Sequence, residues 1–268
     1  MTPEAAEKLE AFFRGFAGGA QPLLLLDYDG TLAAFRVNRF EARPWSGVRK
    51  LLTQIQDQKR TRMAVITGRP AAEIAPLLEL DRPLEVWGLH GAERLHPNGR
   101  RELALAPAAT QARLEDLKER LRRDALGGLF EDKANGAVMH WRGHARPKQL
   151  AIERRTRALF EPLARLEGLA LLEFEAGLEL RAGRDKGGAV EAILAEMRAA
   201  GQMPGPVAYL GDDLSDEAAF RVVNALEGAH LSVLVRSKRR ATEADVWLRP
   251  PEELKEFLKR WEGAGNRE

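Results

Sequence analysis

The stretch QPLLLLDYDGT, Gln21–Thr31, decides how the fold of this chain is understood. Four consecutive leucines, Leu23–Leu26, form an apolar run that is typical of a strand buried on both faces of a parallel sheet. The run ends in Asp27, and Gly30 allows the chain to turn soon afterwards. A carboxylate at the end of a buried strand is costly to desolvate unless it is paired or binds a metal. We therefore predict a buried strand that presents Asp27 to a polar partner.

Further strands of the same kind alternate with helical patterns along most of the chain. They occur in RMAVITGRP (Arg62–Pro70), LEVWGLHG (Leu84–Gly91), VAYLGDD (Val207–Asp213) and LSVLV (Leu231–Val235). Strand, helix and strand in alternation predict an α/β fold with a Rossmann-like parallel sheet as its core.

The segment 108–181 follows a different pattern, in which helices alternate with pairs of short strands. In chain order these are a helix from Ala108, a hairpin around Asn135-Gly136, a helix over Pro147–Leu166 and a hairpin around Ala176-Gly177. Asn-Gly between alternating residues is a strong hairpin signal because both turn positions favour positive φ. We predict an inserted α+β cap domain at 108–181, within a core domain formed by 1–107 and 182–268.

The composition is that of a soluble globular protein. The chain has 268 residues, a formal net charge of +2 and no cysteine, which excludes disulfides and thiolate metal sites. No apolar run approaches the ~20 residues that cross a bilayer, and the N-terminus lacks a signal-peptide pattern. We expect a cytoplasmic monomer that binds neither membranes nor nucleic acid. The basic cluster Arg236–Arg240 is interpreted as solvated surface.

Four polar clusters follow predicted strands or begin predicted helices. They are Asp27 with Asp29, Thr67–Arg69, Lys186, and Asp212–Asp216. In an open parallel sheet, ligands bind beyond the carboxyl ends of the strands, so these separated clusters can meet at one site.

The clustered carboxylates predict a hard divalent cation. Asp27 and Asp29 lie two residues apart, and Asp212 and Asp213 add further negative charge. Mg²⁺ prefers oxygen ligands and commonly bridges carboxylates to phosphate. Zinc is not expected, because cysteine and an HExxH pattern are both missing from the sequence. Asp-x-Asp-Gly alone is also good turn sequence, so the prediction of Mg²⁺ as cofactor depends on the other three clusters.

The remaining polar residues of these clusters suit a phosphate group. Thr67 offers a hydroxyl, Gly68 lets a backbone N–H approach an anion closely, and Lys186 is a compact cation. Taken alone, Lys186 is better explained as a surface lysine at a helix start. Arg69 could likewise be a surface residue beside Pro70, and His90 is better explained as a core or loop histidine than as a catalyst.

The motifs DYDGT, ITGR, RDKG and GDDLSDE, in this order, resemble those of the haloacid-dehalogenase-like phosphatases, which place a mobile cap over the site. Within that superfamily the chain resembles the trehalose-6-phosphate phosphatases most. That closer resemblance covers DYDGTL at Asp27–Leu32, TGR at Thr67–Arg69, GLHGAE at Gly88–Glu93, Glu131-Asp132-Lys133, His140-Trp141-Arg142, LELR around Glu179, Lys186 and GDDLSDE at Gly211–Glu217.

The resemblance implies a role for each matching residue. Asp27 attacks phosphorus, and Asp29 protonates the leaving oxygen and then activates water. Mg²⁺ is held by Asp27, the Asp29 carbonyl and Asp212, with Asp213 or Asp216 in support; the sequence leaves open which of the two. Phosphate contacts Thr67, Gly68 and Lys186, and the sugar contacts Arg69, Glu131, Lys133 and Glu179. From strand alternation alone, the last three residues are the solvent-facing side of an antiparallel sheet.

The resemblance implies hydrolysis of trehalose 6-phosphate to trehalose and phosphate. The alternative within the same class is another glycosyl phosphate, such as that of sucrose, glucosylglycerol or mannosylglycerate. The alternative from a different class is a phospho-accepting signalling module, which also surrounds an acceptor aspartate with Asp, Thr and Lys. Such modules are shorter, carry no insert and lack the acid two residues after the acceptor.

Overall fold

The computed structural model describes residues 2–18, 20–36, 38–104, 107–123, 127–133, 135–166, 168–174 and 177–265. The chain divides into two compact units. Unit 1 consists of Met1–Glu102 and Lys186–Glu268, and unit 2 is Leu103–Asp185. Unit 2 therefore lies between the two segments of unit 1 in sequence. The predicted domain boundaries, 108–181 for the insert, lie within a few residues of these limits, and the independence of the two domains stays a prediction.

Within the described residues, eight α-helices and twelve β-strands make up the two units. In chain order they are α1 (Pro3–Arg14), β1 (Gln21–Leu26), α2 (Val48–Asp57), β2 (Arg62–Ile66), α3 (Ala71–Leu78), β3 (Glu85–Gly88), β4 (Glu93–Leu95), β5 (Arg101–Leu103), α4 (Ala108–Arg123), β6 (Phe130–Lys133), β7 (Gly136–His140), α5 (Arg146–Ala164), β8 (Leu169–Phe174), β9 (Gly177–Ala182), α6 (Lys186–Ala199), β10 (Pro204–Gly211), α7 (Glu217–Asn224), β11 (His230–Val235), β12 (Val246–Leu248) and α8 (Glu252–Gly265).

Unit 1 is built on a mixed eight-stranded sheet, which confirms the predicted α/β class. Its strand order is β12–β11–β10–β1–β2–β3–β4–β5, and the pairs from β12 to β3 are parallel. The sequence predicted a parallel sheet, but the β3–β4 pair is antiparallel, so the sheet is mixed. Leu24 and Leu26 pack into one hydrophobic cluster while Leu23 and Leu25 pack into a second. This alternation explains the continuous leucine run, because both faces of β1 are covered.

Unit 2 contains a separate antiparallel sheet with strand order β6–β7–β9–β8. Leu178 and Leu180 of β9 pack into a cluster with residues of α4 and α5, so these helices cover one face. The antiparallel α+β pattern predicted for the insert is thus confirmed. The hairpin predicted around Asn135-Gly136 joins β6 and β7, but Gly136 is the first residue of β7 and pairs with Lys133, so of the two predicted turn residues only Asn135 lies between the strands. Ala176 of the second predicted turn lies outside the described residues. Among the described residues, no helix has both the length and the apolar character that crossing a membrane requires.

Candidate active site

Three adjacent parallel strands, β10, β1 and β2, end at the same side of the eight-stranded sheet, and predicted polar residues follow their carboxyl ends. Leu26 of β1 is in register with Val65 of β2 and Leu210 of β10. Asp27 and Asp212 therefore follow neighbouring strands, and the Asp27 backbone N–H donates to the Leu210 carbonyl at 2.8 Å. Such strands lie about 4.8 Å apart, so side chains beyond their ends come within reach of each other. This arrangement explains why residues 185 positions apart in sequence can share a site.

Asp27 is a buried carboxylate with a polar partner on each oxygen. The Lys186 ammonium donates to Oδ1 at 2.7 Å, and the Thr31 hydroxyl donates to Oδ2 at 3.1 Å. Asp27 is 3% exposed and Lys186 is 2% exposed. Lys186 is the first residue of α6, so the helix fixes the position from which the ammonium reaches Asp27. Pairing Asp27 with Lys186 offsets the cost of burying two opposite charges.

Asp216 organises the cluster and is fully buried. Its Oδ1 accepts from Lys186 at 2.7 Å and from the Tyr209 hydroxyl at 2.6 Å. Its Oδ2 accepts from the backbone N–H groups of Asp212 at 3.0 Å and Asp213 at 2.9 Å. A carboxylate offers about four acceptor positions, and these four donors use them. Asp216 therefore orients Lys186 and the loop after β10, a role that Tyr209 supports and that sequence reasoning did not assign to either residue.

Asp27, Asp212 and Asp216 each place one carboxyl oxygen within 4.8 Å of the others. When all three groups are ionised, they carry more negative charge than the Lys186 ammonium balances. Gly30 has φ of +83°, and a Cβ there would collide with the Asp212 carboxylate, so only glycine permits this approach. Oxygen donors with excess negative charge suit a hard divalent cation. Because the acceptor positions of Asp216 are used, Asp27 and Asp212 are the side chains best placed to hold it.

The electrostatics of the cluster are consistent with that assignment. Burial raises the pKa of Asp27 to about 7, although the adjacent Lys186 opposes the shift. Burial, with Asp27 and Asp216 nearby, raises the pKa of Asp212 to about 9. Burial alone would lower the pKa of Lys186, but the carboxylates of Asp216 and Asp27 outweigh it and raise that pKa. Without a metal the cluster therefore retains protons on its carboxyl groups, which a divalent cation would displace.

The loop after β10 is held by two arginines that the sequence did not single out. Arg240 donates to the Asp213 carbonyl at 2.7 Å and to the Asp212 carbonyl at 3.4 Å, and it pairs with the Glu217 carboxylate. Arg236 donates to the Asp212 carbonyl at 3.4 Å. The interpretation of the basic cluster as solvated surface is wrong for these two residues, which are half-buried. A charge run alone does not show which of its members turn inward.

Asp213 differs from Asp216 in its surroundings. It is half-buried, and burial raises the pKa of its side chain. Its carboxylate is not part of the close group formed by Asp27, Asp212 and Asp216. A supporting role for Asp213 at the metal stays a prediction.

Thr67 and Gly68 form a tight connection after β2. The Thr67 backbone is fixed by bonds to the Trp87 carbonyl at 2.9 Å and from the His90 N–H at 2.7 Å. The Thr67 hydroxyl accepts from the Arg69 N–H at 3.2 Å and keeps its own hydrogen for donation. A Cβ at Gly68 would lie 2.7 Å from the His90 ring nitrogen, so a side chain here would require the ring to move. The predicted contact of Thr67 and Gly68 with phosphate stays a prediction.

Asp29 and Arg69 form a two-point ion pair. The Arg69 Nε donates to Asp29 Oδ2 at 2.6 Å, and Nη2 donates to Asp29 Oδ1. The sequence analysis gave these residues different roles: Asp29 was the general acid, and Arg69 contacted the sugar. Their direct contact was not predicted, because nothing in the spacing of 40 residues indicates it.

Within unit 2, the three predicted sugar-binding residues lie on the sheet face opposite the helices. Glu131 and Glu179 are both in register with Val138 of β7, and Lys133 lies two residues beyond Glu131. Lys133 Nζ pairs with Glu179 Oε2 at 3.1 Å. Glu131 pairs with the His140 ring at 2.8 Å. The three form one polar face, but Glu179 is buried, so the expectation that all three face solvent is wrong for this residue. Contact of this face with a sugar stays a prediction.

Comparisons with known proteins agree with this architecture. A "Trehalose-phosphate phosphatase" of Mycolicibacterium paratuberculosis is 30% identical over 269 residues, covering 96% of this chain and 66% of that protein. The "Trehalose-6-phosphate phosphatase" of Escherichia coli is 27% identical over 252 residues, covering 92% and 86%. A solved structure of the Aspergillus fumigatus trehalose-6-phosphate phosphatase matches with a TM-score of 0.73 at 22% identity, covering 97% of this chain and 98% of that chain.

The chain spans 66% or less of the length of the first three mycobacterial relatives it matches. Structures such as a haloacid dehalogenase-like hydrolase from Bacillus subtilis, with a TM-score of 0.62 at 17% identity, share the fold. The sequence model described as "Trehalose-phosphatase" matches residues 25–251, which include every residue of the buried cluster. The chain belongs to the trehalose-phosphatase family.

Proposed function

We propose that this protein hydrolyses trehalose 6-phosphate to trehalose and inorganic phosphate, with Mg²⁺ as cofactor and a phospho-aspartate at Asp27. The observation that supports it most is the placement of the Asp27 carboxylate 2.7 Å from the Lys186 ammonium, beside Asp212 and Asp216. A carboxylate acts as nucleophile without a separate base when it is ionised. Lys186 favours that ionised form against the effect of burial.

In the first step, an oxygen of Asp27 attacks phosphorus, and the bond from phosphorus to the sugar oxygen breaks. Asp29 donates a proton to that oxygen, which leaves as the sugar hydroxyl. In the second step, water attacks phosphorus while Asp29 takes its proton, and the bond from phosphorus to Asp27 breaks to release phosphate. Lys186 and the Thr67 hydroxyl donate to the phosphoryl oxygens.

The Asp27 and Asp212 side chains, with the main-chain carbonyl of Asp29, would hold Mg²⁺. When bound, the ion supplies positive charge that offsets the charge of the phosphoryl group. The buried carboxylates fit this ion because one oxygen of each lies within 4.8 Å of the others. Asp216 and Arg240 contribute by fixing the loop on which Asp212 lies.

The test is phosphate release from a panel of sugar phosphates in the presence and absence of Mg²⁺. We expect the kcat/KM for trehalose 6-phosphate to exceed that for glucose 6-phosphate and for the phosphates of sucrose, glucosylglycerol and mannosylglycerate. Preference for another member of the panel would overturn the substrate. A phosphorylated form that persists for minutes, without turnover of any sugar phosphate, would instead identify a signalling module.

A further inference from the structure

The backbone of Arg69 is fixed on both sides of the residue. Its N–H donates to the Thr67 hydroxyl at 3.2 Å, and its carbonyl accepts from the Leu89 N–H at 2.8 Å. Two residues on, the Ala71 N–H donates to the Glu93 carboxylate at 2.7 Å, and Glu93 is buried. The side chain of Arg69 therefore extends from a rigid base, and its direction is set by the fold.

The guanidinium group of Arg69 has a protein partner at each of its three nitrogens. Nε and Nη2 donate to the two oxygens of Asp29, and Nη1 donates to the Arg39 carbonyl at 2.6 Å. The guanidinium carbon also lies 5.5 Å from the centre of the Tyr28 ring. Two parallel bonds to one carboxylate fix both its position and its rotation, which a single bond cannot do.

The side chains of Arg69 and Asp29 differ in their exposure to solvent. The Arg69 side chain is 9% exposed, whereas the Asp29 side chain is 24% exposed. A substrate arriving from solvent can therefore reach Asp29 more readily than the guanidinium beneath it. Each Asp29 oxygen keeps further acceptor capacity outside its bond to Arg69.

We propose that Arg69 is a positioning residue that orients the Asp29 carboxylate toward the leaving oxygen, instead of contacting the sugar itself. This inference rests on the proposed function, in which Asp29 exchanges a proton with that oxygen. A positioning role for Arg69 and the direct sugar contact expected from the sequence predict different effects of removing the side chain. A direct contact contributes to the binding of every sugar phosphate, whereas orientation of Asp29 matters only where the leaving group needs a proton.

The test compares two substrates in one preparation of Arg69→Ala. The alcohol leaving from trehalose 6-phosphate needs a proton, whereas the p-nitrophenolate leaving from p-nitrophenyl phosphate does not. The kcat/KM value reports steps up to loss of the leaving group, before the water step. General acid catalysis contributes on the order of 10²-fold or more, so we expect a loss of that size for the sugar phosphate and less than about tenfold for the aryl phosphate.

Three further measurements make the test specific. Arg69→Lys keeps the charge but not the two-point bond, so its loss should lie between wild type and Arg69→Ala. Guanidinium ion at tens of millimolar should restore part of the sugar phosphate activity of Arg69→Ala, but none of that of Asp29→Asn. Arg43→Ala, which removes an exposed arginine that pairs with Glu79, should leave the ratio of the two substrates unchanged.

Because both substrates are measured on the same sample, partial unfolding of a variant cancels in the ratio. Equal losses on the two substrates would overturn the inference, as would a loss confined to KM. If wild type prefers another sugar phosphate, the substrate proposal fails, and the same ratio measured with that substrate still decides the role of Arg69.

Discussion

Asp27 of unit 1 and Lys133 of unit 2 are held in different ways. Asp27 follows a strand buried on both faces, and Lys186 and Thr31 fix its two oxygens. Lys133 lies on one face of an antiparallel sheet, its side chain is 41% exposed, and its ion pair is with Glu179. Asp27 is therefore fixed by several neighbours, whereas an exposed side chain held by one ion pair is constrained only weakly. The proposed chemistry should therefore depend strictly on Asp27, whereas a sugar contact by Lys133, which stays a prediction, should change KM in a graded way.

The largest expected effect is that of Asp27→Asn, which tests whether turnover depends strictly on Asp27. The change keeps the size of the side chain but removes the nucleophile, so turnover should fall by on the order of 10³-fold or more. Phosphate release under saturating substrate and Mg²⁺ measures it, and circular dichroism checks the fold. Asp57→Asn, at an exposed aspartate, is the control and should retain full activity. A rate within tenfold of wild type would contradict the covalent mechanism.

The next effect concerns the loop that carries Asp212. Arg240→Ala removes the bonds to the carbonyls of Asp212 and Asp213 and the ion pair with Glu217. Loss of residues that orient metal ligands typically weakens metal binding by about 10–100-fold. We expect the Mg²⁺ concentration for half-maximal turnover to rise within that range. The neighbouring Arg239 is exposed, so Arg239→Ala is a matched control. Equal effects of the two changes would show that the loop does not need Arg240.

Much of the fold could be predicted because its decisive strands are buried on both faces. Such strands appear in sequence as continuous apolar runs, as in β1 and β2. The strands β4, β5 and β12 were not predicted, since each has three residues, too few to show a period. The antiparallel pairing of β3 with β4 depends on the turn between them, which the apolar pattern does not encode.

The residue types of the buried cluster around Asp27, and their order along the chain, could be predicted from the sequence. The choice between Asp213 and Asp216 could not be made from sequence, because both follow β10 and both are aspartates. The fold separates these two residues, since the Asp216 carboxylate is fully buried and accepts from Lys186 and Tyr209, whereas Asp213 is half-buried. Arg240 was misassigned for a related reason. Burial of one arginine among several depends on the path of a loop, which charge content does not reveal.

The predicted contact of Lys133 with the sugar is tested by Lys133→Ala. If Lys133 binds the sugar, KM for trehalose 6-phosphate should rise roughly tenfold, because a hydrogen bond from a charged group contributes about 1.5 kcal/mol or more. The kcat/KM for p-nitrophenyl phosphate should not change, since it has no sugar. Lys148→Ala removes the same charge from an exposed position on α5 and serves as the control. A loss of kcat comparable to that of Asp27→Asn would erase the distinction between the two units.

The smallest expected effect is on stability, and it should originate in unit 1. An unfolded aspartate has a pKa of about 3.9, whereas burial raises the pKa to about 7 for Asp27 and about 9 for Asp212. Between these values the folded protein binds more protons than the unfolded chain. Stability of the metal-free protein is therefore greatest at the acidic end of this range and falls as pH rises toward 9. Each extra proton corresponds to a slope of about 1.4 kcal/mol per pH unit.

Melting temperatures measured in EDTA from pH 6 to pH 9 would reveal this slope as a fall of roughly 2–4 °C per pH unit. Saturating Mg²⁺ should flatten it, because a bound cation keeps the carboxylates ionised at every pH in the range. Asp212→Asn should flatten the metal-free slope as well, since it removes a carboxyl group whose pKa is raised. Glu119→Gln in unit 2, at an exposed glutamate that pairs with Arg123, should leave the slope as it is in wild type. A metal-free melting temperature that rises with pH over this range would mean that the buried carboxyl groups do not retain their protons.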